Sequence, residues 1–261
     1  MNLENLNLAY SIMNIDNSRH DKVLAIRDTV KGVPELVNKV TYYDCRRNDD
    51  LMSALRRFHY IDWHWAGPRR GHAGVILSTL SFLEYVAYSE YDGVVLFESD
   101  AEPHKDFDFL MNKYLPQVPD DWDLFALCTP YNQDGDYHYQ YTYDQYGTAS
   151  GHKFYANCAP YYDIGQQDVC RVYQGYCAVA MMYSKQGALK LLRQFKERGV
   201  WSSGDCQILQ ICKGTEPEPF NGYTIKPGLT KPVTVDFHNK TTIHDTDHID
   251  MNALLQEVRG G

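Results

Sequence analysis

Short apolar runs of strand length alternate along the chain with longer stretches whose apolar positions recur at helical spacing. The plainest short run is Val94, Val95, Leu96 and Phe97, inside YDGVVLFESDAEPH at 91–104. Asp92-Gly93 turns the chain into it, and its length and β-branched content predict a strand buried on both faces. The run stops at Glu98, Ser99, Asp100, Ala101, Glu102 and Pro103, which puts three carboxylates within five residues.

The flanking pattern is that of an alternating α/β chain. Residues 6–15 predict a first strand ending at Asn14-Ile15-Asp16. Val23, Ile26 and Val30 share one helical face over 19–31, with Asp16 or Ser18 as cap and Gly32 as stop. Pro34 leads to a second strand over 40–43 ending at Asp44, which completes a strand–helix–strand unit of the kind that opens many nucleotide-binding sheets. Leu51, Leu55 and Phe58 predict a helix over 49–60, and 61–71, with two tryptophans and Arg69-Arg70, reads as a loop. Ile76, Leu80, Leu83 and Ala87 predict a long helix over 73–89 that feeds the central strand. Beyond the acidic turn come a short helix over 106–115 and a strand over 122–127, with Asp121 and Asp123 at its start. A strand over 177–183 precedes a helix that Ser184 caps and that runs to 198, with Ala188, Leu191, Leu192 and Phe195 inward. A turn at 201–205, a short helix over 206–212 and a turn at 226–228 follow. The tail carries His238, His244, Asp245, Asp247, His248 and Asp250 before a last short helix. No repeat or linker divides the chain, so 1–261 reads as one α/β domain with a Rossmann-like, mostly parallel central sheet flanked by helices.

Residues 131–176 break the pattern. Eleven of the 21 tyrosines fall there, among Gly, Asn, Asp and Gln, with no helical period. An irregular span of this length inside a compact domain is uncommon and usually functional. Tyrosine joins an apolar ring to a polar tip, which suits sugar rings, bases or a protein partner.

Charge and composition narrow the classes. A net charge of −9 argues against coating nucleic acid by bulk electrostatics, although Arg46-Arg47, Arg56-Arg57 and Arg69-Arg70 could form a local basic rim. No apolar run approaches the ~20 residues that cross a bilayer, and the first residues lack the basic start and apolar centre of a signal peptide. The seven cysteines are odd in number with no C-x-x-C pair, so they read as reduced thiols and no zinc site is expected. The expected setting is the cytoplasm of a bacterial or phage-infected cell.

Carboxylates just past the end of a buried strand lie where open α/β sheets place ligands. Mg²⁺ and Mn²⁺ take oxygen ligands and commonly hold substrate phosphates beside one or two carboxylates. Glu98-Ser99-Asp100 therefore reads either as a strand end suited to a metal–diphosphate or as a solvated acidic turn. Asn14, Asp16 and Asp44 read either as contacts to a base and ribose or as turn and cap residues.

Taken in order, these motifs resemble glycosyltransferase family 25, the lipooligosaccharide-biosynthesis type. The resemblance runs from residue 8 to about residue 232. Asn14-Ile15-Asp16 with Arg19 is similar to the family's N-L-D-x-x-x-x-R start, and Asp44 with Arg46 to its acidic turn after the second strand. GHAGVILSTLSFL at 71–83 is similar to G-x-x-G-C-x-L-S-H-L, and Glu98-Ser99-Asp100 to the E-D-D metal motif of the D-x-D type. GYCAVAMMYSKQGALKLL at 175–192 resembles G-x-x-x-Y-x-I-S-x-x-G-A-x-K-L-L, and Gly204-Asp205 matches a late acidic position. Three departures stand out: Thr79 replaces the family's His, Ser99 replaces the middle Asp, and the tyrosine-rich span has no counterpart.

The resemblance implies a GT-A-like fold and a nucleotide-sugar donor, a UDP-sugar before others. It implies Mn²⁺ or Mg²⁺ held by Asp100 and Glu98, with a tail histidine, His238 or else His244, completing the shell. Arg19, Arg69 and Arg70 are then candidates for phosphate contact, with Asn14, Asp16, Asp44 and Ser99 beside the donor. Asp205 becomes the candidate base for the acceptor hydroxyl if the reaction inverts, or else a cap for the helix after it. Tyr139, Tyr141 and Tyr176 become candidate acceptor contacts, and 131–176 an acceptor-side insertion. A glycan acceptor ranks first. A hydroxymethylated base such as 5-hydroxymethylcytosine, flipped from DNA as in bacteriophage DNA modification, ranks close behind. A catalytically inert sugar- or partner-binding relative remains open, and a hydrolase with two carboxylates is a weaker rival.

Overall fold

The structure, a computed structural model, describes residues 6–13, 20–30, 70–99, 101–127, 139–143, 149–153, 161–172, 179–200, 204–212, 218–226 and 234–236, with single positions 43, 49, 52, 53 and 256. In chain order the elements are β1 (Leu8–Met13), α1 (His20–Thr29), α2 (Arg70–Tyr88), β2 (Gly93–Glu98), β3 (Ala101–Pro103) and α3 (Phe107–Tyr114). They continue with β4 (Leu124–Ala126), β5 (Tyr139–Tyr143), β6 (Ala149–Lys153), β7 (Tyr161–Asp163), β8 (Val169–Val172) and β9 (Ala180–Ser184). Last come α4 (Lys185–Arg198), α5 (Gly204–Ile211), β10 (Gly222–Ile225) and β11 (Thr234–Asp236). Seven strands form one sheet in the order β1-β2-β9-β4-β10-β8-β7, while β3 pairs with β11 and β5 with β6.

The alternation of side chains along β2 builds the two sides of the core. Val94 and Leu96 join Leu77, Leu80 and Leu83 of α2, Leu191 and Phe195 of α4, and Leu209 of α5. Val95 and Phe97 join Ile26 of α1 and Leu110, Met111 and Tyr114 of α3. Each such buried side chain contributes roughly 1.5–3 kcal/mol over an exposed one. The strand is enclosed from both sides, as its unbroken apolar run predicts. α2 is bound to this arrangement by chain length: it descends along the sheet and reaches β2 through the short turn at 89–92. Its first residue, Arg70, is consequently at the end of the sheet where β2 finishes.

Helix α4 shows the local signals working as read. Ser184 Oγ accepts a hydrogen bond from Gly187 N at 2.9 Å and caps the first turn. Gly199, at φ 71°, ends the helix with a positive φ that favours glycine, its N–H donating to Phe195 O at 2.9 Å. Gly187 sits so close to β4 that a Cβ there would collide with the Asp123 carbonyl. The buried Asp123 carboxylate accepts from Lys190 Nζ at 2.7 Å and from Asn221 N at 2.8 Å, locking α4, β4 and β10 together.

Two expectations need correction. The sheet is mixed, not mostly parallel: β1·β2 and β4·β10 are parallel, and β2·β9, β9·β4, β10·β8 and β8·β7 are antiparallel. The cause is where the chain re-enters. β4 delivers it to the edge where β2 ends, and Val179 brings it back at that same edge, so β9 can only run the other way. Likewise Asp163 turns through Gly165, at φ 76°, straight back into β8. Nor is 131–176 irregular throughout, since it holds β5, β6, β7 and β8, the last two paired into the main sheet. The expected strand over 40–43 and helix over 49–60 lie almost wholly outside the described residues.

Candidate functional site

The ends of β1, β2, β4 and β10 lie at one edge of the sheet, where Glu98 and Ser99 are found. Met13 pairs with Glu98, so β1 and β2 finish side by side. Glu98 N donates to Val179 O at 2.8 Å and Leu127 N to Ala180 O at 3.0 Å, joining the acidic turn to the start of β9 and the end of β4. Glu98 is half-buried and Ser99 fully buried, so the turn is packed into the edge.

From this turn the chain leaves as β3, whose partner comes from the tail. Thr234 faces Pro103, Val235 faces Glu102, and Asp236 faces Ala101, the residue after Asp100. The early turns of α2 meet two further segments. Ser78 Oγ of that helix accepts from Tyr43 N at 3.1 Å, which ties the position before Asp44 to the same helix. A Cβ on Gly204 would lie 3.4 Å from Ile76 Cγ1, so α5 begins against the early turns of α2.

Of the predicted site residues, Glu98 and Ser99 lie in the turn itself. Arg70 is the first residue of α2, and Asp205 the second of α5, a helix that begins two residues before its predicted start. Tyr139 and Tyr141 are in β5. Asn14, Asp16, Arg19, Asp44, Arg69, Asp100, Tyr176, His238 and His244 lie outside the described residues. Among the described residues no group of three His, Cys, Asp or Glu side chains is placed to hold a metal ion. Only Glu98 of the four candidate ligands is among them. Thr79, where the resembling family has histidine, is buried in α2, and its hydroxyl donates to Val75 O at 2.8 Å. That hydroxyl serves the helix.

Periodicity gives no sign of a second polar cluster, farther along the sheet. Asp168, buried before β8, accepts from Lys113 Nζ at 3.2 Å and Gln117 Nε2 at 2.9 Å. Its carbonyl accepts from Lys226 N at 2.7 Å, just past the end of β10. Lys226 Nζ also donates to Asp163 Oδ1 at 2.9 Å, and this bond, with those from the backbone N–H groups of Gly165 and Ile164, holds the Asp163 carboxyl below its ordinary range. These carboxylates are paired with cations and tie the distal strands together. Burial pushes the Cys170 thiol up to about 12 and raises that of Cys212 further, so neither ionises near neutrality. Among the described residues no helix is long and apolar enough to cross a membrane.

No family model matches the chain, and no curated protein matches it. Among solved structures it is similar to the crystal structure of A197 from STIV, at 12% identity and a TM-score of 0.28, over 83% of this chain and 80% of that one. A likeness at that level carries no argument about chemistry.

Proposed function

We propose that the chain is a metal-dependent glycosyltransferase with a GT-A-like arrangement, moving a sugar from a nucleotide-sugar donor, a UDP-sugar first, to a hydroxyl of a glycan. The observation that carries this reading is the Glu98-Ser99-Asp100 segment at the end of an enclosed strand. Glu98 pairs with Met13 at the end of a parallel neighbour, and Ala101, which follows the segment, pairs with a strand from the tail. Ligands of open α/β sheets bind at this edge.

The donor set fits a hard divalent cation, because Glu98, Ser99 and Asp100 offer only oxygen. Asp100 and Glu98 would hold Mn²⁺ or Mg²⁺. His238, two residues past Asp236 and hence within about 7 Å of chain, is the first choice for a further ligand, and His244 the second. The bound ion would take up charge on the departing diphosphate. Arg70 at the N-terminus of α2, with Arg69 and Arg19, would bind phosphate oxygens. Asn14, Asp16 and Asp44 would hold the base and ribose, and Asp205 would accept the proton of the attacking hydroxyl. Tyr176 lies three residues before Val179, whose carbonyl meets Glu98, which favours an acceptor contact there.

The test is a screen of UDP-, GDP- and CMP-sugars with Mn²⁺, against saccharides and against DNA containing hydroxymethylcytosine, read by product mass. Transfer to a saccharide, abolished by Asp100→Ala in a normally folded variant, is the expected result. Full activity in Asp100→Ala would remove the metal assignment, and product on DNA would make this a base-modifying enzyme. No metal-dependent turnover of any donor would leave an inert binding protein.

A further inference from the structure

Between Val75 and Leu83, helix α2 is apolar except for three hydroxyls, those of Ser78, Thr79 and Ser81, and all three residues are buried. A buried hydroxyl costs free energy unless it is bonded, and serine and threonine are poorer helix formers than alanine or leucine. Thr79 is satisfied inside the helix, donating to Val75 O at 2.8 Å. Ser78 reaches outside it. Its Oγ accepts from the backbone N–H of Tyr43 at 3.1 Å, across 35 residues of sequence, and both partners are buried.

Tyr43 is held by its side chain as well, which belongs to the same apolar cluster as Met13, the last residue of β1, and Ile76, Leu77 and Leu80 of α2. Ring and N–H together fix the backbone at the position next before Asp44. Successive Cα atoms are only about 3.8 Å apart, so whatever fixes Tyr43 restricts where Asp44 can lie. Arg70, the proposed phosphate contact, begins the same helix eight residues earlier, roughly 12 Å of rise. One helix therefore carries that arginine at its start and, from its middle, holds the segment that leads to the proposed base and ribose contact. Groups that recognise a ligand keep their geometry only where neighbouring packing and hydrogen bonds hold it.

We infer that Ser78 is a positioning residue for nucleoside recognition: its hydroxyl sets the segment ending in Asp44, and so the affinity for base and ribose but not for diphosphate. This rests on the transferase reading above, in which Asp44 holds the base and ribose. Without the hydroxyl, the buried Tyr43 N–H loses its acceptor and the backbone shifts to find another. The experiment is calorimetric titration of the full chain in Mn²⁺ with UDP, GDP and CMP, and separately with pyrophosphate. It compares wild type, Ser78→Ala and Thr79→Val. Alanine favours the helix, so Ser78→Ala is expected to fold. It should bind the tightest of the three nucleotides about fivefold or more weakly while keeping its affinity for pyrophosphate. Thr79→Val, which removes a hydroxyl bonded within the helix, should bind both as wild type does. In the transfer assay Ser78→Ala should raise the donor KM and leave kcat little changed. Nucleotide affinity unaltered by Ser78→Ala would overturn the inference and leave the transferase reading standing. Parallel weakening of pyrophosphate, or equal weakening by Thr79→Val, would do the same, because a merely structural hydroxyl acts on every ligand alike. A wild type that binds none of the nucleotides would overturn the transferase reading and this inference with it.

Discussion

Among single residues, Tyr10 presents the clearest imbalance. It is fully buried between Phe97 and Phe107, at ring-centroid distances of 6.4 Å from each, and its hydroxyl has no hydrogen-bond partner among the described residues. Asp108 Oδ1 is likewise buried and has no hydrogen-bond partner among the described residues. Burial first, and the Asp108 charge second, raise the Tyr10 phenol far above its ordinary value. An unpaired buried polar group costs roughly 1–3 kcal/mol. Tyr10→Phe should therefore stabilise the protein by about 1 kcal/mol or more, read as a higher urea midpoint; a lower midpoint would mean that the hydroxyl has a bound partner. Asp205 presents the opposite question, because the first turn of α5 favours a negative charge whatever the chemistry. Asp205→Asn should cut turnover by about a hundredfold or more if the carboxylate is the base, with the melting temperature little changed. Unchanged turnover with a lowered melting temperature would reduce Asp205 to a helix-end charge.

Among the elements, the β3–β11 pair matters most to the site. It brings a strand from the tail against the segment that follows Asp100, over only three paired positions. Proline donates no backbone hydrogen bond and disrupts so short a ladder. Neither strand belongs to the seven-stranded sheet, so the core survives its loss. Val235→Pro is expected to raise the Mn²⁺ concentration for half-maximal turnover about tenfold or more and to leave thermal unfolding of the core nearly unchanged. An unaltered metal requirement would separate the tail from the metal.

At the scale of the whole molecule, the distal end of the sheet depends on charge pairs, since β7 and β8 are short and, among the described residues, join the rest of the sheet only through β10. The Asp163 carboxyl, held by Lys226, has a folded pKa below its ordinary 3.8. A depressed carboxyl binds a proton less readily when folded than when unfolded. Its contribution is present above the unfolded value and disappears as pH falls through the folded one. Asp163→Asn should therefore flatten the acid limb of the stability profile below about pH 4, with little change in its slope near neutrality. Thermal melts from acid to neutral pH would show it, and an unaltered acid limb would mean that the pair carries no pH dependence.

Element types were largely legible in the sequence because hydrophobic period is local. The four-residue run at 94–97, the helical repeat from Ile76 to Ala87 and the Ser184 cap each carry their own signal, and each appears where that signal lies. The acidic turn after β2 was legible for the same reason. Strand order and direction were not, because they depend on which edge the chain returns to after long connections. Thus β9 lies antiparallel between β2 and β4, and β8 joins the sheet from within a tyrosine-rich segment that has no helical period. Pairings such as Asp236 with Ala101, or Lys113 with Asp168, unite residues whose local sequence says nothing of each other. The sequence by itself determined the elements and the chemical groups at their ends. Only the tertiary structure decided which of those ends meet, because the contacts between them are made across the chain and not along it.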